Sequence, residues 1–294
     1  MKGASGRDRS AGVSRLFVSD LDGTLADRDA RLSPFCRRHL TQLLGAGLTF
    51  SIATARSIHT LAPILEGLPL RLPVVELNGA FITDLQTRTP LVCHALALEV
   101  AAAAIEWALS NGTPPFVTTF ARGRQNLYPP LERANAGIAW YDASRRAARD
   151  VRLRAASDPR ATLGLVAAED IVCLTLIAER ARLTPIVAAI EGAFPGQTNT
   201  LLYENAYQPG WFWLTVQSPR ASKAHALRAL AEGAGVDLSR TTVFGDEIND
   251  IPMFELAGHG VAVDNAISEL KRIAHEIIEP HHTDSVVRYL LASR

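Results

Sequence analysis

The chain has 294 residues, 48% hydrophobic and 20% charged, with a formal net charge of +0 and a pI near 7.1. This length allows a sizeable core and two domains, and the composition is that of a globular protein rather than a disordered or fibrous one. The neutral balance argues against nucleic acid or an anionic membrane surface as the main partner, and no apolar run is long enough to span a bilayer.

Residues 1–14 are rich in Gly, Ser, Arg and Ala and lack an apolar core, so they read as a disordered leader rather than a signal peptide. The run Leu16-Phe17-Val18-Ser19 reads as a buried strand of a parallel sheet, and it ends in Asp20-Leu21-Asp22-Gly23-Thr24. Ser33-Pro34 opens a helix reaching about Leu44, with an N-cap and an N1 proline. Thr49 to Ala53 is a second strand, followed by Thr54-Ala55-Arg56 and a helix over about Ser57 to Glu66. Pro73 to Leu77 is a third, delivering Asn78-Gly79. Strand, helix, strand, helix, strand is the pattern of a parallel sheet with crossover helices.

The pattern changes after Asp84. A strand is expected over Leu91 to Leu96, a helix over Leu98 to Leu109, and an antiparallel strand over Phe116 to Phe120 with a hairpin turn at Arg122-Gly123-Arg124. Leu131 to Arg154 reads as helical, its arginines (145, 146, 149, 152 and 154) forming a solvated face. Strands at Ile171 to Ala178, Thr200 to Tyr203 and Trp211 to Val216, with a helix from Leu183 to Phe194, complete a mixed α+β block. The parallel-sheet pattern returns with a helix from Lys223 to Ala234 and a strand Thr241 to Phe244 ending in Gly245-Asp246-Glu247-Ile248-Asn249-Asp250. A strand from Gly260 to Val263 and helices from Ala266 and Asp284 follow.

Two carboxylates as close as Asp20 and Asp22 repel each other, so one protonates or a cation sits between them. Asp20/Asp22, Thr54 and Asp246/Asp250 all lie just past apolar strands. Right-handed crossovers would bring those strand ends to one edge of one sheet, where ligands bind in open α/β folds. Lys223 follows Ser222, a good N-cap. A cation in the first helical turn opposes the helix dipole unless an anion docks there, although a lysine pointing at water would read the same. Thr54 could equally cap the following helix, and Asn249 could cap the helix after Asp246. Cys36, Cys93 and Cys173 are odd in number and widely spaced, as in a reduced cytoplasmic protein. His275, Glu276, Glu279, His281 and His282 match no common zinc spacing.

These stretches resemble the four motifs of the haloacid dehalogenase (HAD) superfamily: D-x-D-G-T at Asp20 to Thr24, a threonine motif at Thr54, a helix-start lysine at Lys223, and G-D-x-x-N-D at Gly245 to Asp250. Ala55 and Ala224 stand where glycines are usual. The long gap between Thr54 and Lys223 resembles the type IIB cap insertion of Cof-type phosphatases. The resemblance implies a Rossmann-like α/β core (15–84 and 218–294) with an inserted α+β cap (85–217). It also implies a cytoplasmic phosphatase that uses Mg²⁺ and an aspartyl-phosphate intermediate on a small phosphorylated metabolite, a sugar phosphate by preference. Asp20 would be the nucleophile and Asp22 the general acid and base. Thr54, Lys223, Arg56 and Asn249 would hold phosphate; Asp20, the Asp22 carbonyl, Asp246 and Asp250 would hold the metal, Asp250 directly or through water. Arg122, Arg124, Tyr128 and Trp211 could face the site or be surface or core. The alternatives are a phosphomutase of the same cap type and a non-catalytic protein that binds a phosphorylated ligand.

Overall fold

Leu16 to Ser19 form strand β1, buried along its whole length, as an apolar run with parallel neighbours on both sides requires. The computed structural model describes residues 15–164, 168–205 and 208–293, so the expected leader lies outside the described residues. Ser33 accepts from the Cys36 amide and, with Pro34, starts the helix Pro34–Gly45. Strand β2 (Thr49–Ile52), the helix Ile58–Leu65 and strand β3 (Val74–Glu76) follow. Then come β4 (Phe81–Asp84), β5 (Thr89–Cys93) and the helix Leu98–Ser110. β6 (Phe116–Ala121) and β7 (Arg124–Tyr128) make the expected hairpin, with Arg122 and Gly123 both at positive φ.

The next strands are β8 (Asp170–Ala178), β9 (Asn199–Glu204) and β10 (Phe212–Gln217), with the helix Arg180–Ala193 between β8 and β9. That helix begins at Arg180, ahead of the expected Leu183. The helix Lys223–Ala234 and β11 (Thr241–Gly245) restore the parallel pattern. β12 (His259–Val263), the short edge strand β13 (Glu276–Ile278), which the sequence reading lacked, and the helix Ser285–Ala292 complete it.

The parallel sheet has the order β13-β12-β11-β1-β2, which puts β1 inside the sheet between β11 and β2. β3 lies parallel to the β2 side through an Ala53–Val75 bridge, with the Thr54 amide donating to Val75 O at 3.0 Å and the Leu77 amide to Arg56 O at 2.9 Å. Leu77 and Asn78 turn the chain with φ of 49° and 56°, and β4 returns antiparallel to β3. β5 then pairs with β4, so this hairpin crosses the expected boundary between residues 84 and 85.

The antiparallel sheet has the order β7-β6-β8-β10-β9. The helices Leu98–Ser110 and Arg180–Ala193 cover one face, packing Ile105, Leu183 and Ile186 against Leu174, Leu176 and Leu214. The region expected to be helical from Leu131 to Arg154 is helical only over Ala136–Ala147. Asn135 caps its start through the Ile138 amide, and Arg149, at φ 50°, follows its end. Arg152 does not sit on a solvated face. It is buried, giving two hydrogen bonds of 3.0 and 2.7 Å to Asp150. No helix among the described residues is long and apolar enough to cross a membrane.

Candidate active site

Asp20 lies one residue beyond β1, and its amide donates to Phe244 O on β11 at 2.9 Å. The position of β1 between β11 and β2 therefore holds the nucleophile candidate beside the Asp246 loop on one side and the Thr54 loop on the other. Asp20, Asp22, Thr54, Arg56, Asp246 and Asn249 line one cavity of about 560 Å³.

Lys223 is buried at the start of its helix and donates to Asp20 Oδ1 and Asp250 Oδ1, both at 2.6 Å. Ser222 caps that helix by accepting from the His225 amide. The lysine thus stands between two carboxylates rather than in water. Burial would lower its pKa, but the charges of Asp20 and Asp250 outweigh burial and raise it. Asp250 is also held by its other oxygen, which accepts from the Asp246 and Glu247 amides at 2.9 and 3.0 Å.

Asp246 lies opposite Gly23, and Thr24 Oγ1 donates to Asp246 Oδ1 at 2.8 Å. A Cβ on Gly23, at φ +76°, would fall 2.1 Å from Asp246 Oδ2, so glycine is what admits this carboxylate. Burial, opposed by the Lys223 charge and reinforced by Asp250, brings the Asp20 pKa up to about 7. Burial and the Asp20 and Asp250 charges push Asp246 up to about 9. One oxygen from each of Asp20, Asp246 and Asp250 lies within 4.8 Å of the others. Three buried carboxylates gathered around one lysine bonded to two of them fit a hard divalent cation with oxygen ligands. This is the metal-competent group found among the described residues.

Thr54 and Arg56 stand at the end of β2. Thr54 Oγ1 accepts from the Arg56 amide at 3.1 Å, which leaves its own hydrogen to donate into the cavity. Arg56, expected at phosphate, forms two bonds of 2.7 Å to the two oxygens of Asp22. Asn249, also expected at phosphate, donates to Asn78 Oδ1 at 2.9 Å. Asn78 in turn donates its amide to Thr54 O, so the threonine loop and the Asp246 loop are tied through one asparagine. Gly79 presses on the Ser222 backbone, where a Cβ would meet the carbonyl at 2.4 Å. Thr24 and Asn78 were not singled out as functional by sequence reasoning, although both lay within quoted motifs. Arg122, Arg124, Tyr128 and Trp211 are not among the residues lining the cavity.

A parallel-sheet edge carrying a buried aspartate, a lysine and a metal-competent acid cluster, covered by an antiparallel sheet, defines a capped α/β phosphoryl-transfer enzyme. Residues 17–290 match the haloacid dehalogenase-like hydrolase family, and the chain belongs to that family; its enzyme class is phosphatase. It is 26% identical over 276 residues to 5-amino-6-(5-phospho-D-ribitylamino)uracil phosphatase YitU of Bacillus subtilis, covering 94% of this chain and 96% of the relative. It is 24% identical over 284 residues to pyridoxal phosphate phosphatase YbhA of Escherichia coli, covering 95% and 98%. The HAD subclass IIB sugar phosphatase BT4131 shares its fold, with a TM-score of 0.73 at 17% identity over 95% of this chain and 99% of that one.

Proposed function

We propose that the protein is a Mg²⁺-dependent phosphatase that hydrolyses a small phosphorylated metabolite, with a sugar-like alcohol, through an aspartyl-phosphate on Asp20. The observation that carries this reading is Asp20 itself. It is a buried carboxylate at the end of β1, with Lys223 at 2.6 Å and the Asp22–Arg56 pair in the same cavity. Asp20, the Asp22 carbonyl and Asp246 would hold the cation, with Asp250 completing the cluster. The cation would screen the charge of the carboxylates from an incoming phosphate.

Asp20 attacks phosphorus, and the P–O bond to the alcohol breaks. Asp22 gives its proton to the departing alkoxide and later takes one from the water that cleaves the acyl phosphate. Lys223 and the Thr54 hydroxyl meet the phosphoryl oxygens where charge accumulates. We assign residues 15–84 and 218–294 to the core and 85–217 to the cap, with the β4–β5 hairpin at the join. The free cysteines support a reducing, cytoplasmic setting.

The test is phosphate release from sugar phosphates and 4-nitrophenyl phosphate by wild type and Asp20→Asn, with Mg²⁺ or with chelator. Metal-dependent release lost on Asp20→Asn is the expected result. Release that survives the substitution would remove Asp20 as nucleophile.

A further inference from the structure

Arg152 is more than nine-tenths buried, yet it lines the same cavity as Asp20 and Thr54. Its backbone is held against the outer edge of β7. The Leu127 amide donates to Arg152 O at 2.8 Å, and the Arg154 amide donates to Leu127 O at 3.0 Å. Its side chain is held by Asp150, which accepts from Nε at 3.0 Å and from Nη2 at 2.7 Å. Asp150 itself is not among the residues lining the cavity. An ion pair between residues two apart in sequence joins no distant elements of the fold. Its effect is to aim the guanidinium, because a two-bond pair fixes direction as well as charge.

A guanidinium carries five N–H groups, and Asp150 takes two of them. The other three lie on Nη1 and Nη2, at the edge turned away from Asp150, and none has an acceptor among the described residues. Glu76, whose charge also reaches Arg152, is already met by the Ile58 amide, Thr83 and Gln125. Arg145 lines the same cavity, over the Tyr141 ring at 5.1 Å, and makes no ion pair among the described residues. Glu204 also lines the cavity, but it comes from β9 at the opposite edge of the sheet and accepts from the Gly210 amide at 2.7 Å. The β7 side of the cap wall thus presents two guanidinium groups for one carboxylate. Farther along this wall, Gln217 Oε1 and Thr215 Oγ1 are buried without a hydrogen bond. Buried polar groups are normally satisfied, and charged ones cost the most when left bare.

We infer that Arg152 is a specificity-determining residue whose free edge grips a second oxyanion, a carboxylate or another phosphate, on the leaving group of the substrate. The edge offers two parallel N–H bonds, which match two oxygens of such a group. Thr215 and Gln217 are left to meet hydroxyl groups of the same leaving group. This inference rests on the phosphatase reading and narrows its substrate to one with two acid groups.

The test measures kcat/KM for pairs that differ in one group: 3-phosphoglycerate against glycerol 3-phosphate, 6-phosphogluconate against glucitol 6-phosphate, and fructose 1,6-bisphosphate against fructose 6-phosphate. The doubly acidic member of at least one pair is expected to lead by about tenfold or more, the usual worth of a hydrogen bond to a charged group. Whether a carboxylate pair or the bisphosphate pair shows the larger ratio identifies the oxyanion. Asp150→Asn combined with Arg152→Gln removes both charges without stranding either, and should bring that ratio toward one. Arg152→Lys keeps the charge but not the planar fork, and should retain only part of the ratio. Turnover with equal values within every pair would overturn the inference and leave the phosphatase reading standing. A ratio unchanged in the double variant would overturn it too, and if that variant does not fold, an unchanged ratio in Arg152→Lys does so. No turnover of any compound would overturn the phosphatase reading instead. Calorimetric Kd values for the same pairs then decide the inference: tighter doubly acidic ligands support it, and equal affinities sink it.

Discussion

Arg56 grips Asp22 by both oxygens, with Nε to Oδ2 and Nη2 to Oδ1 each at 2.7 Å. A fork-to-fork pair of this kind fixes direction as well as charge. The guanidinium comes from the β2 side and the carboxylate from β1, so the proposed general acid is oriented by a neighbouring strand end.

If Arg56 orients Asp22, Arg56→Ala should cost about ten- to a hundredfold in kcat on a sugar phosphate, within the usual worth of a positioned acid. The loss should be much smaller on 4-nitrophenyl phosphate, whose leaving group departs without a proton. Arg56→Lys should recover only part, because an ammonium cannot make the two parallel bonds. Equal losses on both substrates would return Arg56 to the phosphate.

Lys223 is enclosed by Asp20 and Asp250 with no exposure of its side chain. Removing one member of a buried charge cluster strands the others, typically at about 3–5 kcal/mol. Lys223→Met should therefore abolish turnover and lower stability in urea by that order. Asp250→Asn placed on top of it should cost less than it does alone, since the two share one network. Additive losses would show that the cluster is not coupled.

The acid cluster predicts a thermal response to Mg²⁺. A ligand that binds only the folded state at a hundred times its Kd adds about 2.7 kcal/mol, which is several degrees of melting temperature. Asp246→Asn should blunt the shift. So should Gly23→Ala, which removes no ligand but drives a methyl into Asp246. An undiminished Mg²⁺ shift in both variants would place the cation elsewhere.

Asp150 and Arg152 form a buried pair, each under a tenth exposed. Burial pushes the Asp150 pKa up, but the Arg152 bonds and charge outweigh burial and leave it below its ordinary 3.8. A carboxyl lowered in this way stabilises the fold fully above 3.8 and loses that contribution as pH falls through its folded value. Asp150→Asn should flatten the acid limb of stability, and Asp150→Ala should cost about 3–5 kcal/mol at neutral pH by stranding Arg152. Urea titrations between pH 3 and 7 check both, and an unchanged acid limb in Asp150→Asn would rule the pair out as its source.

The strand ends that carry Asp20, Thr54 and Asp246 were legible because apolar runs ending in polar residues mark the edge of a parallel sheet. Lys223 was legible because a cation at a helix start needs a reason. The partner that a long side chain chooses was not. Arg56 turning to Asp22, and Asp250 engaging Lys223 and two loop amides, depend on the distance between loops far apart in sequence. Arg152 looked like its solvated neighbours because a helical run was expected to continue. The left-handed Arg149 ends that run and folds Arg152 inward. The left-handed Leu77–Asn78 step likewise sends the expected parallel strand β3, past its Ala53–Val75 bridge, into an antiparallel hairpin with β4.

The distance along the chain between Asp20 and Lys223, 203 residues, sets the order of assembly on the ribosome. β1 emerges early with β2 available, but the other flank of β1 waits for β11. Until then β1 has an open apolar edge, the kind of surface that pairs wrongly or recruits chaperones. The intervening antiparallel sheet with its two covering helices draws on contacts within 94–217 and can consolidate first. A nascent chain stopped before Lys223 would thus carry a largely formed lid above a core without its lysine or Asp246, so the chemistry begins only when nearly the whole protein has been made.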